Sequence, residues 1–328
     1  MNYSKLENLI IMKKLLTILV LAGISTFGFS QSNNSNVSQV GAGNIGTVYQ
    51  SGNGHVNDIA VTGNTNTTNV NQLRYRNLAN TKIAGDNNIT QVTQLGNAHL
   101  NQAWININGN DNISTITQDD HWNEAYHTVD RTNGGTGNYA ETTQSLNTSF
   151  TEKHLSTIYQ NGIDNIAVAI QEDFSNTSYI EQIGTEDEAY LDQHGTSQMS
   201  EIYQSGSENR AFVTQHVSTN NSWVSQSGAN NFASVTQNGE LGISNWEQIG
   251  TSSHGYVYQI GTNNESFIFQ GLGDNNRVES NQEGNLGFSH IVQVGNDNFA
   301  KVFQTGSQQN SVINQNGNGN SVNVIQGN

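Results

Sequence analysis

The stretch GSENRAFVTQHVSTNNSWVSQSGANNFASVTQ, residues 206–237, decides the fold. It holds three copies of one pattern, which end at Gln215, Gln226 and Gln237, eleven residues apart. Each copy begins with Asn six residues before its Gln, and carries Ala or Ser four residues before it and Val two before it. A Gly follows two residues after Gln226 and Gln237. A fixed period of this kind is typical of an array of stacked structural units.

The same spacing runs through the second half of the chain. One extra residue precedes Gln282, and every other step between neighbouring copies is eleven residues. The Gln residues in this register are Gln160, Gln171, Gln182, Gln193, Gln204, Gln215, Gln226, Gln237, Gln248, Gln259, Gln270, Gln282, Gln293, Gln304, Gln315 and Gln326. Sixteen copies in one register predict one continuous array.

The period resolves into a strand and a turn. In NRAFVTQ, Asn209, Ala211, Val213 and Gln215 share one parity. Successive side chains of a strand point to opposite faces, so this set is predicted to point inward and the residues between them outward. The four residues after each Gln are predicted to form a tight turn. Two strands and two turns make a 22-residue rung, and the predicted fold class is all-β, an amyloid-like two-sheet β-solenoid of stacked β-arches.

The arch also predicts which inward side chains face one another. Folding about the turn places each Gln opposite the next Asn, and each Val or Ile opposite the next Ala or Ser. Large residues then meet small ones, which lets the two sheets pack closely. Trp246 stands where Val or Ile is usual, and the position predicted to face it is Gly255, the smallest residue available. This compensation supports the predicted register.

The register extends through the first part of the chain with several substitutions. The Gln position is filled, in order, by Gln39, Gln50, Val61, Gln72, Ile83, Gln94, Ile105, Gln118, Val129 and Gln144. Ile105 is predicted to close a degenerate copy, with a two-residue shift after it. The ten copies here and the sixteen later ones predict 26 strands in 13 rungs, about 60 Å long at about 4.8 Å per rung. We expect one domain over residues 31–328, with an irregular middle at 106–156.

Residues 1–30 read as a secretory signal peptide. Lys13 and Lys14 precede the apolar run LLTILVLAGISTFGF, and Gly28 and Ser30 supply small residues for cleavage. Met12 is an alternative start to Met1. A membrane-spanning helix is the other reading, but the apolar run is shorter than about 20 residues.

Composition narrows the functional classes. Without residues 1–30 the chain keeps 8 Lys and Arg against 26 Asp and Glu, a net charge of −18, which argues against nucleic acid or an anionic membrane as the partner. The chain has no Cys and no Pro, and only 33% of its residues are hydrophobic. Such a composition favours disorder. The repeat favours order instead, because Asn and Gln form hydrogen-bonded ladders between identical positions of stacked strands.

The Gln-x-Gly-x-x-Asn turn, with a second Gln eleven residues away, resembles the curlin repeat of curli fibre subunits. GSENRAFVTQ (206–215) and GANNFASVTQ (228–237) are good copies, and the likeness covers nearly the whole chain after residue 30. The resemblance implies a secreted bacterial subunit that polymerises into extracellular amyloid fibres of a biofilm matrix. It also implies export through a dedicated outer-membrane channel, and growth together with a nucleating or a major subunit.

The same resemblance implies that the Gln and Asn residues of the turn motif are the self-assembly residues. The Gln members are the Gln residues named above that lie at 39, 50, 72, 94 and from 160 to 326. The Asn members are Asn44, Asn165, Asn209, Asn231, Asn264, Asn298 and Asn320. Other residues replace Asn at Asp187, Gln198, Gly242, Ser253 and Gly287.

Candidate chemistry is sparse, and we expect neither an enzyme nor a bound cofactor or metal. Asp119, Asp120, His121, Glu124 and His127 crowd one segment, but the two His lack the i, i+4 spacing of a helical zinc site, and His127 falls at an inward position of a degenerate strand. A surface loop is therefore favoured over a metal site. No nucleophile elbow, phosphate-binding loop or paired CxxC motif occurs.

Three readings of function therefore stand. The leading one is a homopolymer that stacks head to tail, because both ends of a solenoid present unpaired strand edges and the last copy finishes two residues before Asn328. A surface-attached nucleator or adhesin of such fibres is the nearest alternative. A monomeric solenoid with protected ends, which binds carbohydrate or ice, is the third, although the predicted outward residues are mixed and form no Thr columns.

Overall fold

The computed structural model describes residues 32–327 except 96–99, 131–134 and 148–152. The predicted signal peptide lies outside the described residues. All regular structure in the described part is β, in 26 strands. In chain order these are β1 (Asn34–Val40), β2 (Ile45–Asn53), β3 (Val56–Thr62), β4 (Thr67–Tyr75), β5 (Leu78–Ala84), β6 (Ile89–Leu95), β7 (Gln102–Asn108), β8 (Ile113–Asp120), β9 (Glu124–Asp130), β10 (Tyr139–Asn147), β11 (Leu155–Ile163), β12 (Ile166–Phe174), β13 (Thr177–Thr185), β14 (Glu188–Thr196), β15 (Met199–Ser207), β16 (Arg210–Ser218), β17 (Asn221–Ala229), β18 (Phe232–Glu240), β19 (Ile243–Thr251), β20 (His254–Thr262), β21 (Glu265–Gly271), β22 (Arg277–Asn285), β23 (Phe288–Val294), β24 (Phe299–Ser307), β25 (Asn310–Asn316) and β26 (Ser321–Gln326).

The strands form two parallel sheets of 13 strands each. Odd-numbered strands make one sheet, here called sheet A, and even-numbered strands make the other, sheet B. Each strand pairs in register with the strand two places later, as when Ala211 pairs with Ala233 and Gln215 pairs with Gln237. Consecutive strands therefore lie in opposite sheets, which confirms the predicted β-solenoid of 13 two-strand rungs.

The core lies between the two sheets. In β16 the side chains of Ala211, Val213 and Gln215 are buried and those between them are partly exposed, which confirms the predicted alternation. Buried apolar residues form one cluster from Ile59 to Val129 and a second from Ala140 to Ile313. Polar side chains fill the rest of the interior, so hydrogen bonding and apolar burial share the stabilisation.

The turns differ from the prediction in the central rungs. We expected a tight turn directly after each Gln, but β15 and β17 continue in register through Gly206 and Gly228 to Ser207 and Ala229. The Gly after the Gln has positive φ, +121° at Gly206, and a Cβ added there would lie 1.9 Å from the carbonyl oxygen of Gly228 in the next rung. Close stacking of backbones, and not only turn geometry, therefore favours Gly at this position.

One register assignment was wrong. Ile105 was predicted to occupy the Gln position, but Ile83 pairs with Ile107, and Ile105 pairs with Thr81 instead. The two additional residues precede β7 instead of following it, because β7 to β8 keeps the eleven-residue step from Ile107 to Gln118. Both Ile residues have the same parity and are buried, so alternation alone could not separate the two registers.

No helix in the described part of the chain is long and apolar enough to cross a membrane.

Candidate assembly interface

A ladder of Gln side chains runs along the interior of sheet B. In each link the Nε2 group of one Gln donates to the Oε1 atom of the Gln one rung later, at 2.8–3.0 Å. The Gln members in order are Gln50, Gln72, Gln94, Gln118, Gln144, Gln171, Gln193, Gln215, Gln237, Gln259, Gln282, Gln304 and Gln326. The same Nε2 groups also donate to backbone carbonyl oxygens of the facing sheet, as from Gln215 to Met199 at 3.1 Å. The ladder therefore ties rung to rung and sheet to sheet.

The corresponding ladder of sheet A is complete only in the second half of the chain. It runs without a break from Gln160 through Gln182 to Gln315. Before it, the Gln position holds Val61, Ile83, Ile107 and Val129, all buried. Gln160 follows Val129, which has no amide to donate, and the buried Oε1 atom of Gln160 has no hydrogen-bond partner. The first half of sheet A therefore gains apolar burial where the second half gains amide hydrogen bonds.

A second ladder, made mainly of Asn side chains, lies just before the start of the strands. In it the Oδ1 atom of one Asn accepts from the backbone N–H and the Nδ2 group of the Asn one rung later, as between Asn209 and Asn231 at 3.2 and 3.1 Å. The Nδ2 group of Asn231 also donates to the carbonyl oxygen of Gly250 at 2.9 Å. Where a strand carries both the Asn and the Gln, side-chain amides therefore fix both ends of its inward face. The bond from Nε2 of Gln160 to the carbonyl oxygen of Asn165, 3.1 Å long, confirms that Gln faces the next Asn position.

His replaces Asn in this ladder at two positions that sequence reasoning did not identify. The Nδ1 atom of His154 accepts from the backbone N–H of Asn176 at 3.2 Å, and its Nε2 atom lies 3.1 Å from the carbonyl oxygen of Asp173. His55 likewise accepts from the backbone N–H of Asn77 through Nδ1, but its Nε2 atom lies 3.3 Å from the carbonyl oxygen of Ser51, four residues earlier in the chain. An imidazole can do this only as the neutral Nε2–H tautomer. Burial lowers the pKa of His154 to about 4 and also lowers that of His55, so both rings stay neutral near pH 7.

Asp187 is a second kind of replacement. Its Oδ1 atom accepts from the backbone N–H and Nδ2 of Asn209, as an Asn would, but its buried Oδ2 atom has no partner. An Asn at this position would present an Nδ2 donor in place of Oδ2. Burial raises the pKa of Asp187 to about 6, against the opposing effect of the hydrogen bonds from Asn209. Ionised Asp187 therefore leaves a buried, unpartnered carboxylate oxygen in the ladder above that pH.

The segment from Asp119 to His127 is not the surface loop that we expected. Asp119 and Asp120 are the last residues of β8, Glu124 begins β9, and His121 is buried in the turn between them. His127 is fully buried, with Nδ1 2.8 Å from Oγ of Ser114 and Nε2 2.8 Å from Oγ1 of Thr142, and burial lowers its pKa to about 3. Nowhere in the described residues do three or more His, Asp or Glu side chains lie close enough to hold a metal ion.

The facing pair Trp246 and Gly255 is confirmed. Trp246 is fully buried, and a Cβ added at Gly255 would lie 2.2 Å from both Cη2 and Cζ2 of the indole. The indole therefore fills the space that a side chain at 255 would occupy.

The two ends of the stack are open within the described residues. Among the 26 strands, β1 and β2 at one end and β25 and β26 at the other each pair along one edge only. At these ends the inward side chains Val37 and Val48, and Val322 and Val324, are only partly covered or exposed, whereas the same positions in central rungs are buried. Each end therefore presents an unfinished rung: unpaired backbone, an open ladder and an uncovered apolar core.

A family model for the curlin associated repeat matches residues 184–216 and 295–327. The first match covers β14, β15 and most of β16, and the second covers β24 to β26, which include the last rung of the stack. A comparison with curated proteins finds no match to the chain. The two matched segments share the Gln and Asn ladders described above. The curlin associated repeat is therefore recognised in two segments of the solenoid.

Proposed function

We propose that this protein is a secreted structural subunit that stacks head to tail into extracellular, curli-like amyloid fibres of a biofilm matrix. The observation that carries the proposal is the chemical complementarity of the two open ends. The curlin repeat supports the same reading, since the family consists of fibre subunits of the cell surface. It also supports export through a curli-type outer-membrane channel and growth together with a nucleating or a major subunit.

The ladders have a direction, and that direction fixes how two copies meet. Along the chain each Gln donates to the Gln of the next rung, and each Asn accepts from the Asn of the next rung. The β25–β26 end therefore offers the Nε2 groups of Gln315 and Gln326 and the Oδ1 atom of Asn320. The opposite end offers the Oε1 atom of Gln50. Donors meet acceptors only when unlike ends join, so the filament is polar and does not close.

The register of the junction follows from the rungs within the chain. Continuing the 22-residue step would pair β25 with β1 of the next copy, and β26 with β2. Gln326 then pairs with Gln50, Val324 with Val48, and Asn323 with Thr47. The junction so formed repeats an internal rung interface, in which each unit contacts only its neighbours.

Apolar burial adds to the hydrogen bonds at the junction. Val322 and Val324 pack against the second apolar cluster from its open end and are only partly buried. Val48 packs in the same way against the first cluster. Covering these side chains by a second copy stabilises the junction at about 25 cal/mol per Å² of apolar surface removed from water.

Seeded elongation of the purified protein tests the proposal. Val324→Asp places a carboxylate inside the junction, and we expect at least tenfold slower elongation because a buried unpaired charge costs several kcal/mol. The matched control is Asn323→Asp, which puts the same charge one residue away on the outer face and is expected to elongate nearly as fast as the unchanged protein. Circular dichroism checks that both variants fold.

Equal elongation of the Val324→Asp variant and the unchanged protein would contradict the proposed junction. Protein that stays monomeric for days, even with preformed seeds, would contradict the fibre function itself. If such protein still accelerated fibre formation by a different curlin-repeat protein, its role would be nucleation.

A further inference from the structure

The outward face of sheet A carries several aromatic side chains in one column, and a single polar residue, Asn245, separates two of them in the later rungs. Trp223 of β17, Asn245 of β19 and Phe267 of β21 are direct neighbours in the sheet, at the third position of each strand. Two aromatic neighbours earlier in this column, Trp104 and Tyr126, stack with their ring centroids 4.4 Å apart. Asn245 supplies no ring, so Trp223 and Phe267 stand on either side of an open cleft.

The cleft has a defined lining and size. It has a volume of about 140 Å³, and its lining includes Trp223, Asn245, Phe267, Phe269 and Glu247. Neighbouring strands are about 4.8 Å apart, so the side chains of Trp223 and Phe267 leave the sheet roughly 9.5 Å apart. A small group held midway would lie about 4.8 Å from each ring, which is inside the roughly 6 Å reach of a cation–π interaction.

The aromatic walls are supported from behind. Tyr203 packs against the far side of Trp223, with ring centroids 6.3 Å apart, and Phe288 packs against Phe267 at 5.8 Å. These contacts hold the two walls in place, so the cleft is preformed and a ligand does not have to open it.

Glu247 gives the cleft a negative charge that nothing in the described structure neutralises. Some other outward carboxylates are paired: Glu279 pairs with Arg277 and Lys301, and Glu181 accepts from the hydroxyl of Tyr179. No ion pair or hydrogen bond among the described residues involves the side chain of Glu247. Its neighbours in the sheet are Ser225 and Phe269, neither of them charged.

We propose that this cleft binds a methylated ammonium group, such as the head of choline or a tetramethylammonium ion. Aromatic faces and a carboxylate together favour a weakly hydrated cation over a neutral or anionic ligand. The volume suits one such head group and not a larger ring system. The cleft lies in the ninth to eleventh of the 13 rungs, away from both ends, so it stays accessible in a monomer and along a filament alike.

Titration of the full-length protein with tetramethylammonium chloride, followed by ligand-observed NMR, tests the inference. We expect saturable binding in the millimolar range, and no saturable binding of tert-butanol, which has a similar shape and no charge. Glu247→Gln is expected to weaken the binding about tenfold, and Asn245→Phe to abolish it by filling the cleft. Asn245→Ala keeps the cleft open and is expected to retain binding.

Two controls are needed: one shows that binding depends on this cleft and not on the overall negative charge, and the other distinguishes a free cation from a lipid head group. Asp58→Asn removes an outward carboxylate of β3, in the same sheet and far from the cleft, and is expected to leave the binding unchanged. Phosphatidylcholine vesicles present the same head group on a membrane, and co-sedimentation distinguishes that source from a free cation. Equal binding by the Glu247→Gln and unchanged proteins, equal binding of tert-butanol, or no saturable binding of tetramethylammonium would each overturn the proposal.

Discussion

Filling the space opposite Trp246 is the sharpest test of how the two sheets face each other. In the Gly255→Ala variant the new methyl carbon would lie 2.2 Å from two atoms of the indole, against about 3.5 Å for ordinary carbon contacts. The ring would have to move by about 1.3 Å inside a packed core, and overpacking of this kind costs about 1–3 kcal/mol. Trp246→Val alone leaves a cavity and costs about 2–4 kcal/mol.

The double variant with both changes recreates the pair one rung earlier, where Val224 and Ala233 hold the corresponding positions. We therefore expect the double variant to be more stable than the sum of the single costs allows, by at least about 1.5 kcal/mol. Urea denaturation followed by far-UV circular dichroism measures the three variants, since this signal does not depend on the missing indole. Strictly additive costs would refute the facing pair and with it the large-opposite-small packing of the arch.

Three further predictions concern single rungs. Val217 has a φ of +81° at a position where the neighbouring rungs carry Gly195 and Gly239, and the pairing of β16 with β18 is interrupted there. Because positive φ strains the backbone of a residue other than Gly, Val217→Gly should stabilise the protein by about 1 kcal/mol in urea denaturation. A lower denaturation midpoint for the variant would contradict backbone strain at Val217. Asp187 keeps its proton up to about pH 6 in the folded protein but only to about pH 3.8 in the unfolded chain, so it lowers the free energy of unfolding as the pH rises through this window. Asp187→Asn should therefore raise the free energy of unfolding by about 2–3 kcal/mol at pH 7 and by little at pH 3.5. An increase in stability that does not depend on pH would contradict the raised pKa of the buried Asp187 carboxyl. His154 changes stability with pH in the opposite direction, because its ring takes up a proton below about pH 6.5 in the unfolded chain and only below about pH 4 in the folded protein. The free energy of unfolding therefore falls as the pH drops between these values, and His154→Asn should remove about 3 kcal/mol of that loss. An unchanged pH dependence of stability in the variant would contradict a neutral, buried His154 ring.

The sequence predicted the architecture well because the period and the alternation are set by the same stacking that forms the sheets. Asn209, Ala211, Val213 and Gln215 could be placed inward from parity alone, and the structure confirms each of them. The pairing of Trp246 with Gly255 was also predictable, since only the smallest residue fits opposite the largest.

The errors arose where two alternatives satisfy the same local rule. Ile105 and Ile107 alternate identically, and only the hydrogen bonds that Asn101 makes to the rungs on either side fix the register. The roles of His55 and His154 in the Asn ladder were not predicted, because no propensity rule treats an imidazole as a substitute for an amide. Each His lies 22 residues before a ladder Asn, Asn77 or Asn176, and this spacing could have indicated the role. Extension of the strands beyond each Gln depends on backbone contact with the next rung, which one repeat viewed alone does not contain.

The candidate interface, too, could be predicted from the sequence only in part. The Gln and Asn ladder positions were predicted from the period, but their direction was not, because the orientation of a side-chain amide depends on the whole chain of hydrogen bonds. The cleft beside Asn245 could not be predicted either, since it depends on which outward side chains become neighbours across two rungs.

Disulfide capture across the junction is the measurement that tests the central claim most directly. The chain has no Cys, so Thr47→Cys and Asn323→Cys variants can each be made with a single thiol. The two positions lie at opposite ends of the stack within one molecule, but the proposed junction makes them direct neighbours in adjacent copies, within the about 4.4–6.8 Å Cα separation that a disulfide spans. We expect reducible dimers when the two variants are mixed under oxidising conditions, and few when either variant is oxidised alone. Dimers of the Thr47→Cys variant with itself, or no dimers from the mixture while fibres form, would contradict head-to-tail stacking.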